Sequence, residues 1–335
     1  GHAGPNEQSD PVSELPEIIA YGFDGRGKAV RLDAGTVDDA STITYAFTWV
    51  HLRRDNEAAR SWLETSGIDS FVIDALTADE TRPRCTVHGD GVVLNLRGVN
   101  LNPGAEPEDM ISVRFWLEHR RIIGVWVREL QAVSDLTLSI ERNQAPTTPG
   151  DLIAKLALRL ADRAEPTVAE LNERIDVIED EVLGQTSRQP RTELADIRRS
   201  AIALRRHMVP QRDALTTLEI EDLDWLSARD RSRIREAADR VTRLGEELEA
   251  IRDRAQILHD ELMDQRAEAM NKNTMLLSVV ASIFLPLGLL TGLLGIYVGG
   301  IPGAQEPWAF WLVCLVLLVI AVAQFLLLRL FGFFR

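Results

Sequence analysis

Two long uncharged stretches constrain what this chain can become more than any other feature. From Thr274 to Val298 there are 25 residues without a charge, and from Trp308 to Leu328 there are 21 more, broken only by Gln324. A hydrocarbon core of about 30 Å takes about 20 apolar residues at about 1.5 Å each. Both stretches are therefore read as transmembrane helices, which a mean hydropathy of -0.06 over the whole chain conceals by averaging. Neither sits where a signal peptide would.

The flanking charges orient them. Arg266 and Lys272 precede the first span and Arg329 and Arg335 follow the second, whereas the link Gly299 to Pro307 has no Lys or Arg. Basic residues stay on the cytoplasmic side, so both termini and everything before the first span are expected there. Trp308 and Trp311 suit an aromatic anchor at the outer interface.

The formal charge is -14, and only three basic residues and one acidic residue lie beyond position 270, so residues 1–270 carry -16. Such a surface repels nucleic acid and gathers cations beside the membrane. Cys85 and Cys314, the two cysteines, stand far apart and form neither a metal-ligand spacing nor a disulfide framework. No nucleophile–base pair or phosphate-cradling glycine loop is evident, which argues against an enzyme.

Residues 1–15 read as a disordered tail, with the opening Gly-His as a cleavage scar. Residues 16–148 read as an α/β cytoplasmic domain. The runs "TITYAFTWVHL", "GVVLNLRGVNL", "ISVRFWLEH" and "RIIGVWVREL" look like strands, Gly89-Asp90-Gly91 is a hairpin signal, and "NEAARSWLETSG" is a short helix ending at Gly67. Residues 149–227 form a helical hairpin, its first helix from about Asp151 to Leu183 and its second opening near Pro190. Pro210 is expected to kink or interrupt the second.

A stalk helix follows over 228–273. Ile234, Val241, Leu248, Ala255 and Leu262 recur every seven residues, as do Ala237, Leu244, Ile251, Leu258 and Gln265. That seam demands partners, either copies of the same helix around an axis or the preceding hairpin of the same chain. No proline stands between Gln211 and Leu285, so the helix is expected to run on into the first span, 274–298. An outer loop at 299–307, the second span at 308–328 and a basic tail at 329–335 complete the chain.

Two spans cannot enclose an aqueous path, so a pore requires several chains. Asn271, Thr274, Ser278, Ala281, Leu285, Gly288, Gly292 and Gly295 follow one another at steps of three or four, and all but Leu285 are small or polar. Such a face serves close helix packing; around a central axis it would also be the pore wall. Glu306 in the outer link is the one titratable carboxylate, histidine or lysine between Thr274 and Leu328. A divalent ion crossing here would pass largely hydrated, with leucines such as Leu277 and Leu285 as constrictions.

"MNKNTMLLSVVASIFLPLGLLTGLLGI", Met270 to Ile296, resembles the first transmembrane helix of the CorA superfamily of metal-ion transporters. "RPRCTVHGDGVVLNLRGVNLNPGAEPEDMISVRFW", "IALRRHMVPQRDAL" and the outer "GGIPG" resemble its ZntB-like zinc-transport branch. The resemblance implies a funnel-shaped homopentamer in a bacterial inner membrane, with an α/β cytoplasmic domain, a long stalk helix and two C-terminal transmembrane helices. Its cargo would be a divalent cation, zinc first, with magnesium, cobalt or nickel as alternatives, and no resident cofactor or nucleic-acid partner. Asn271, Thr274, Leu277, Ala281, Leu285, Gly288 and Gly295 would line the pore. Asp260, Glu261 and Asp264 would stand where the family binds regulatory metal.

One departure is pronounced. Gly295, Ile296 and Tyr297 stand where the family has a Gly-Met-Asn triplet, so a phenol replaces the amide that faces the hydrated ion. Five tyrosines could make a hydroxyl collar, a cation-π ring or a plug. A CorA-like oligomer that has lost transport and serves as scaffold or sensor is thus the alternative reading.

Overall fold

The computed structural model describes residues 17–33, 37, 44–79, 82–184, 190–296 and 300–330. The chain divides into two compact units, Gly1–Leu258 and His259–Arg335. The expected N-terminal tail, Tyr297 and most of the basic tail lie outside the described residues.

In the first unit, β1 (Ile18–Phe23), β2 (Ala29–Leu32), β3 (Phe47–Arg53), β4 (Arg84–His88), β5 (Gly91–Gly98), β6 (Ile111–Leu117) and β7 (Arg121–Trp126) form one seven-stranded sheet ordered β2-β1-β3-β7-β6-β5-β4. Among the described residues only the central β3–β7 pair is parallel, Val50 opposite Ile123. Every other pairing is antiparallel. The parallel pair lies mid-sheet, and its strands are apolar on both faces, as burial from two sides requires. One face packs Val50, Leu52, Ile123, Val125, Val93 and Trp116 against α1 (Glu57–Thr65) and α2 (Ser70–Thr77). Asn56 and Asp69 cap these helices, their side chains accepting from Ala59 N and Phe71 N at 2.9 Å each.

The opposite face buries Trp49, His51, Phe115 and Trp126. Gly124 belongs among them because a Cβ there would stand 2.2 Å from His51 Nδ1. After α3 (Gln131–Glu141), α4 (Pro149–Leu183) begins two residues before the expected Asp151, with Thr148 as its cap. Helix α5 (Arg191–Ile220) passes Pro210 without ending, so the expected interruption does not occur. Arg163 fixes α4 to α3 by two bonds to Asp135, at 2.7 and 2.6 Å.

Helix α6 (Ala228–Gly295) is a single element of 68 residues, with Pro286 inside it. Its seam from Ile234 to Leu258 is buried. Arg254 reaches Asp176 at 2.6 Å and also pairs with Glu179, while Arg205 of α5 meets Glu249 at 3.1 Å. Of the two ways to fill the seam, the chain uses its own hairpin. The seam above Leu258 therefore offers nothing to a second copy.

The start of α6 is bolted to the start of α4. Thr148 Oγ1 donates to Asp230 Oδ2 at 2.7 Å, Arg233 pairs with Asp151, and both carboxylates are buried. In the second unit, the apolar end of α6 is followed by α7 (Ala309–Leu330), and both helices are long and apolar enough to cross a membrane.

Candidate functional site

Each apolar helix of the second unit carries one stripe that the chain covers. On α6 it is Met275, Val279, Ile283, Leu287 and Leu290; on α7 it is Val313, Leu317, Ile320, Ala321, Gln324 and Leu328. At about 100° per residue, the centre of the α6 stripe points about 180° away from the line through Thr274, Leu277, Ala281, Leu285, Gly288 and Gly295. The small and polar face is thus turned away from the surface the chain covers. Asn271, Thr274, Ala281, Gly288 and Gly295 are all exposed, and Leu277 and Leu285 remain 70% and 71% exposed. No Cβ built on Gly288, Gly292 or Gly295 would meet any atom within 4 Å, so this face has room for a close neighbour.

The hydroxyls on this segment are already oriented. Thr274 Oγ1 donates to the Met270 carbonyl and Ser278 Oγ to the Thr274 carbonyl, both at 2.9 Å. Thr291 Oγ1 donates to the Leu287 carbonyl, also at 2.9 Å. With their protons committed to the helix, these oxygens present lone pairs outward. Lone pairs suit the outward-pointing hydrogens of a cation's water shell. Pro286 adds to this, since it has no N–H to give the Ser282 carbonyl.

The acidic trio is placed differently. Asp260 and Asp264 are one turn apart on α6, while Glu261 accepts from Gln265 Nε2 at 3.0 Å. Among the described residues no three His, Cys, Asp or Glu side chains gather into a group able to hold a metal ion. Within one chain, then, Asp260, Glu261 and Asp264 are not a completed site. Lys272 pairs with Glu268 at 2.9 Å and holds that carboxyl below its ordinary range.

In the first unit, an open cleft of about 840 Å³ is lined by Asp69, His88, Trp116, Glu118, His119 and Trp225, among others. His88 Nε2 stands 3.2 Å from Asp69 Oδ2. The Asp69 carboxyl is lowered chiefly by the Phe71 N–H and secondly by His88. That pair serves the α2 cap, and the cleft gathers no nucleophile. Cys85 is no nucleophile either: burial pushes its thiol up to about 12.

An α/β domain joined through one continuous helix to two apolar spans, the first with a small, hydroxyl-bearing face turned outward, is the layout of a membrane transport protein. The chain belongs to the CorA-like Mg2+ transporter protein family, whose model matches residues 45–330. It is a divalent-cation transporter of that family and not an enzyme. It is similar to "Divalent cation transporter CmaX" of Pseudomonas aeruginosa, 36% identical over 315 residues, covering 93% of this chain and 95% of the relative. "Zinc transport protein ZntB" of Pectobacterium carotovorum is 36% identical over 304 residues, covering 90% and 91%.

Among solved structures, full-length CmaX matches with a TM-score of 0.81 and 35% identity, covering 95% of this chain and 98% of that one. The CorA magnesium transporter of Methanocaldococcus jannaschii matches at 0.80 over 94% and 98%, and at 16% identity it speaks for the fold alone.

Asn271, Thr274, Leu277, Ala281, Leu285, Gly288 and Gly295 lie on α6, as do Asp260, Glu261 and Asp264, whereas Ile296 follows its end and Tyr297 lies outside the described residues. Gln324 was legible only as an interruption, and its place on the covered stripe of α7 needed the structure.

Proposed function

We propose that the chain assembles as a homopentamer in a bacterial inner membrane, with both termini cytoplasmic, and passes largely hydrated divalent cations, zinc first, along α6. The observation that carries this reading is the back-to-back arrangement on α6. One stripe is covered by the chain itself, and the opposite stripe is small, polar and free. In a ring of chains that second stripe faces the axis. Asn271, Thr274, Ala281, Gly288 and Gly295 would form the wall, and Leu277 and Leu285 apolar constrictions that gate by dewetting.

The names of the ZntB relatives favour zinc, and the name CmaX carries the broader class. The cytoplasmic charge of -16 over residues 1–270 concentrates cations on the inner side. Regulatory metal at Asp260, Glu261 and Asp264 would be shared between chains, because one chain does not complete a site.

The test is zinc flux into liposomes holding the purified oligomer, comparing the native protein with Tyr297→Asn. Native flux of zinc above that of magnesium is the expected result. Absence of flux of either ion in both proteins, in assemblies shown to be pentamers, would overturn the reading.

A further inference from the structure

The cleft at one end of the seven-stranded sheet has no part in moving an ion along α6. Four loops converge on it: the α1–α2 link, the β4–β5 turn, the β6–β7 turn and the α5–α6 link. They bring the carboxylates of Asp69, Asp90, Glu118, Asp222 and Asp224 to a space of about 840 Å³, against the one guanidinium of Arg120, which donates to the Tyr45 carbonyl at 2.8 Å. Asp69 is shared with His88, and Glu118 with Arg121. Among the described residues Asp90, Asp222 and Asp224 have no ion-pair partner.

Between the carboxylates the walls are apolar. Trp116 packs so closely on Gly91 that a Cβ there would stand 2.4 Å from its ring. Trp225, half-buried, donates Nε1 to the Asp90 carbonyl at 3.3 Å, and Val87 is 40% exposed. This distribution selects the ligand. A metal ion needs several donors drawn to one point, and among the described residues no three His, Cys, Asp or Glu side chains gather in that way. Carboxylates spread over separate loops, with indole and aliphatic surface between them, match a cation whose charges are spread along an apolar chain. Each ammonium meets a carboxylate or an indole, and the methylenes between them cover the apolar wall.

We propose that this cleft is an effector site for a linear polyamine, a methylene chain carrying several ammonium groups. Its wall is tied directly to α6. Arg231, in the first turn of that helix, donates Nη1 to the carbonyls of Glu219 and Glu221, the latter at 2.7 Å. Its Nη2 reaches the Leu223 carbonyl and its Nε the Leu226 carbonyl, both at 3.2 Å. One guanidinium holding four carbonyls joins residues 219–226 to the start of α6. A ligand that draws Asp222 and Asp224 toward Asp69 and Asp90 therefore acts on the helix that continues to Gly295. The regulatory half of the proposal rests on the transport reading above; the binding half stands by itself.

Binding is tested by equilibrium dialysis of spermidine against the purified full-length protein at physiological salt, where diffuse surface charge is screened beyond about 8 Å. Saturable binding of a single spermidine per chain is expected. Asp222→Asn with Asp224→Asn, both exposed, should weaken it about three- to tenfold, and Trp225→Leu about threefold, the scales of exposed ion pairs and of one cation–π contact. Glu170→Gln with Glu173→Gln removes the same charge from the exposed side of α4 and should leave binding unchanged. Absence of saturable binding overturns the proposal, and equal weakening by both double variants does so by reducing the effect to net charge. Tighter binding of an oligolysine peptide than of spermidine overturns it in favour of a docking site for a basic segment. Displacement of spermidine by zinc, lost in His88→Gln with His119→Gln, overturns it in favour of a metal site.

In liposomes, spermidine on the side of the first unit should change the zinc flux of the native protein by about fivefold, the lower end of ordinary coupling between sites, and that of the Asp222→Asn, Asp224→Asn variant far less. Flux that ignores bound spermidine overturns the regulatory half. No zinc flux at all, with dialysis as expected, sinks the transport reading and leaves the binding site standing.

Discussion

The side-chain amide of Gln211 in α5 grips both backbone groups of Arg97 in β5: its Oε1 accepts from Arg97 N at 2.6 Å and its Nε2 donates to Arg97 O at 2.8 Å. β4 ends its pairing at Arg84 opposite Asn95, so β5 continues beyond its neighbour and Arg97 would face an empty edge. Gln211, itself buried, stands in for the missing residue of the ladder. Gln211→Leu should leave one donor and one acceptor unmet in the interior. The expected cost is about 2–6 kcal/mol, from about 1–3 kcal/mol for each of the two buried groups left unsatisfied. It is read as a lowered thermal midpoint of the full-length protein by tryptophan fluorescence. Gln211→Glu should fail as well, since a carboxylate cannot donate to the Arg97 carbonyl.

Acid should destabilise the first unit earlier than its carboxylates alone would. Burial pushes His51 down to about 3, and burial with Arg97, Arg206 and Arg82 nearby pushes His207 down to about 4. Both are held neutral in the folded protein, whereas the unfolded chain takes up protons near 6.5. Their contribution is therefore complete above about pH 6.5 and is lost as pH falls toward 4 and 3, at roughly 1.4 kcal/mol per pH unit for each histidine. Thermal midpoints measured between pH 7.5 and 4.5 should fall steeply. His51→Leu should flatten that slope by about half, and an unchanged slope would exclude His51 as its source.

Gly150 is where the bolt between α4 and α6 can be broken by one methyl group. A Cβ there would lie 2.6 Å from Leu226 and 2.7 Å from Asp230 Oδ2, the oxygen that accepts from Thr148. Gly150→Ala should cost about 1–3 kcal/mol by overpacking. Because α6 continues from this point to Gly295 as one helix, flux should change along with stability. Thr148→Ser keeps the hydroxyl and should retain both.

Much of this architecture was readable in the order of residues, and the unreadable parts have physical reasons. The seam of α6 obeys a strict seven-residue period and is buried where that period predicts, because one face of a long helix must be covered. The small-residue stripe of α6 was legible because small residues recur at helical steps. By contrast, β7 stops at Trp126, four residues before "RIIGVWVREL" ends, and α3 opens after Leu130 with no side-chain cap to mark the change. Eight residues of α2, "SFVIDALT", are too few to show a period. The Gln211–Arg97 clamp depends on where β4 stops relative to β5, a register no local pattern discloses.

The orientation of α6 itself can be tested position by position. Cysteines placed singly at Thr274, Ala281, Leu285 and Gly288, with Cys314→Ser and Cys85→Ser, should react with a membrane-impermeant, water-soluble thiol reagent applied from both sides of the bilayer. Those at Met275, Val279, Ile283 and Leu287 should not, since these belong to the stripe the chain covers. The thiolate is the reactive form, so labelling tracks contact with water and not mere exposure to lipid. A contrast of at least about tenfold between the two series is expected, because a thiol held in hydrocarbon stays protonated. Zinc at saturating concentration should slow labelling at the first series alone. Leu285→Ala would widen the apolar constriction proposed at this level, and it should raise zinc flux severalfold if dewetting there limits passage. Equal labelling of both series would mean that the small-residue face meets lipid or a dry partner helix, and the conducting path would have to be sought elsewhere.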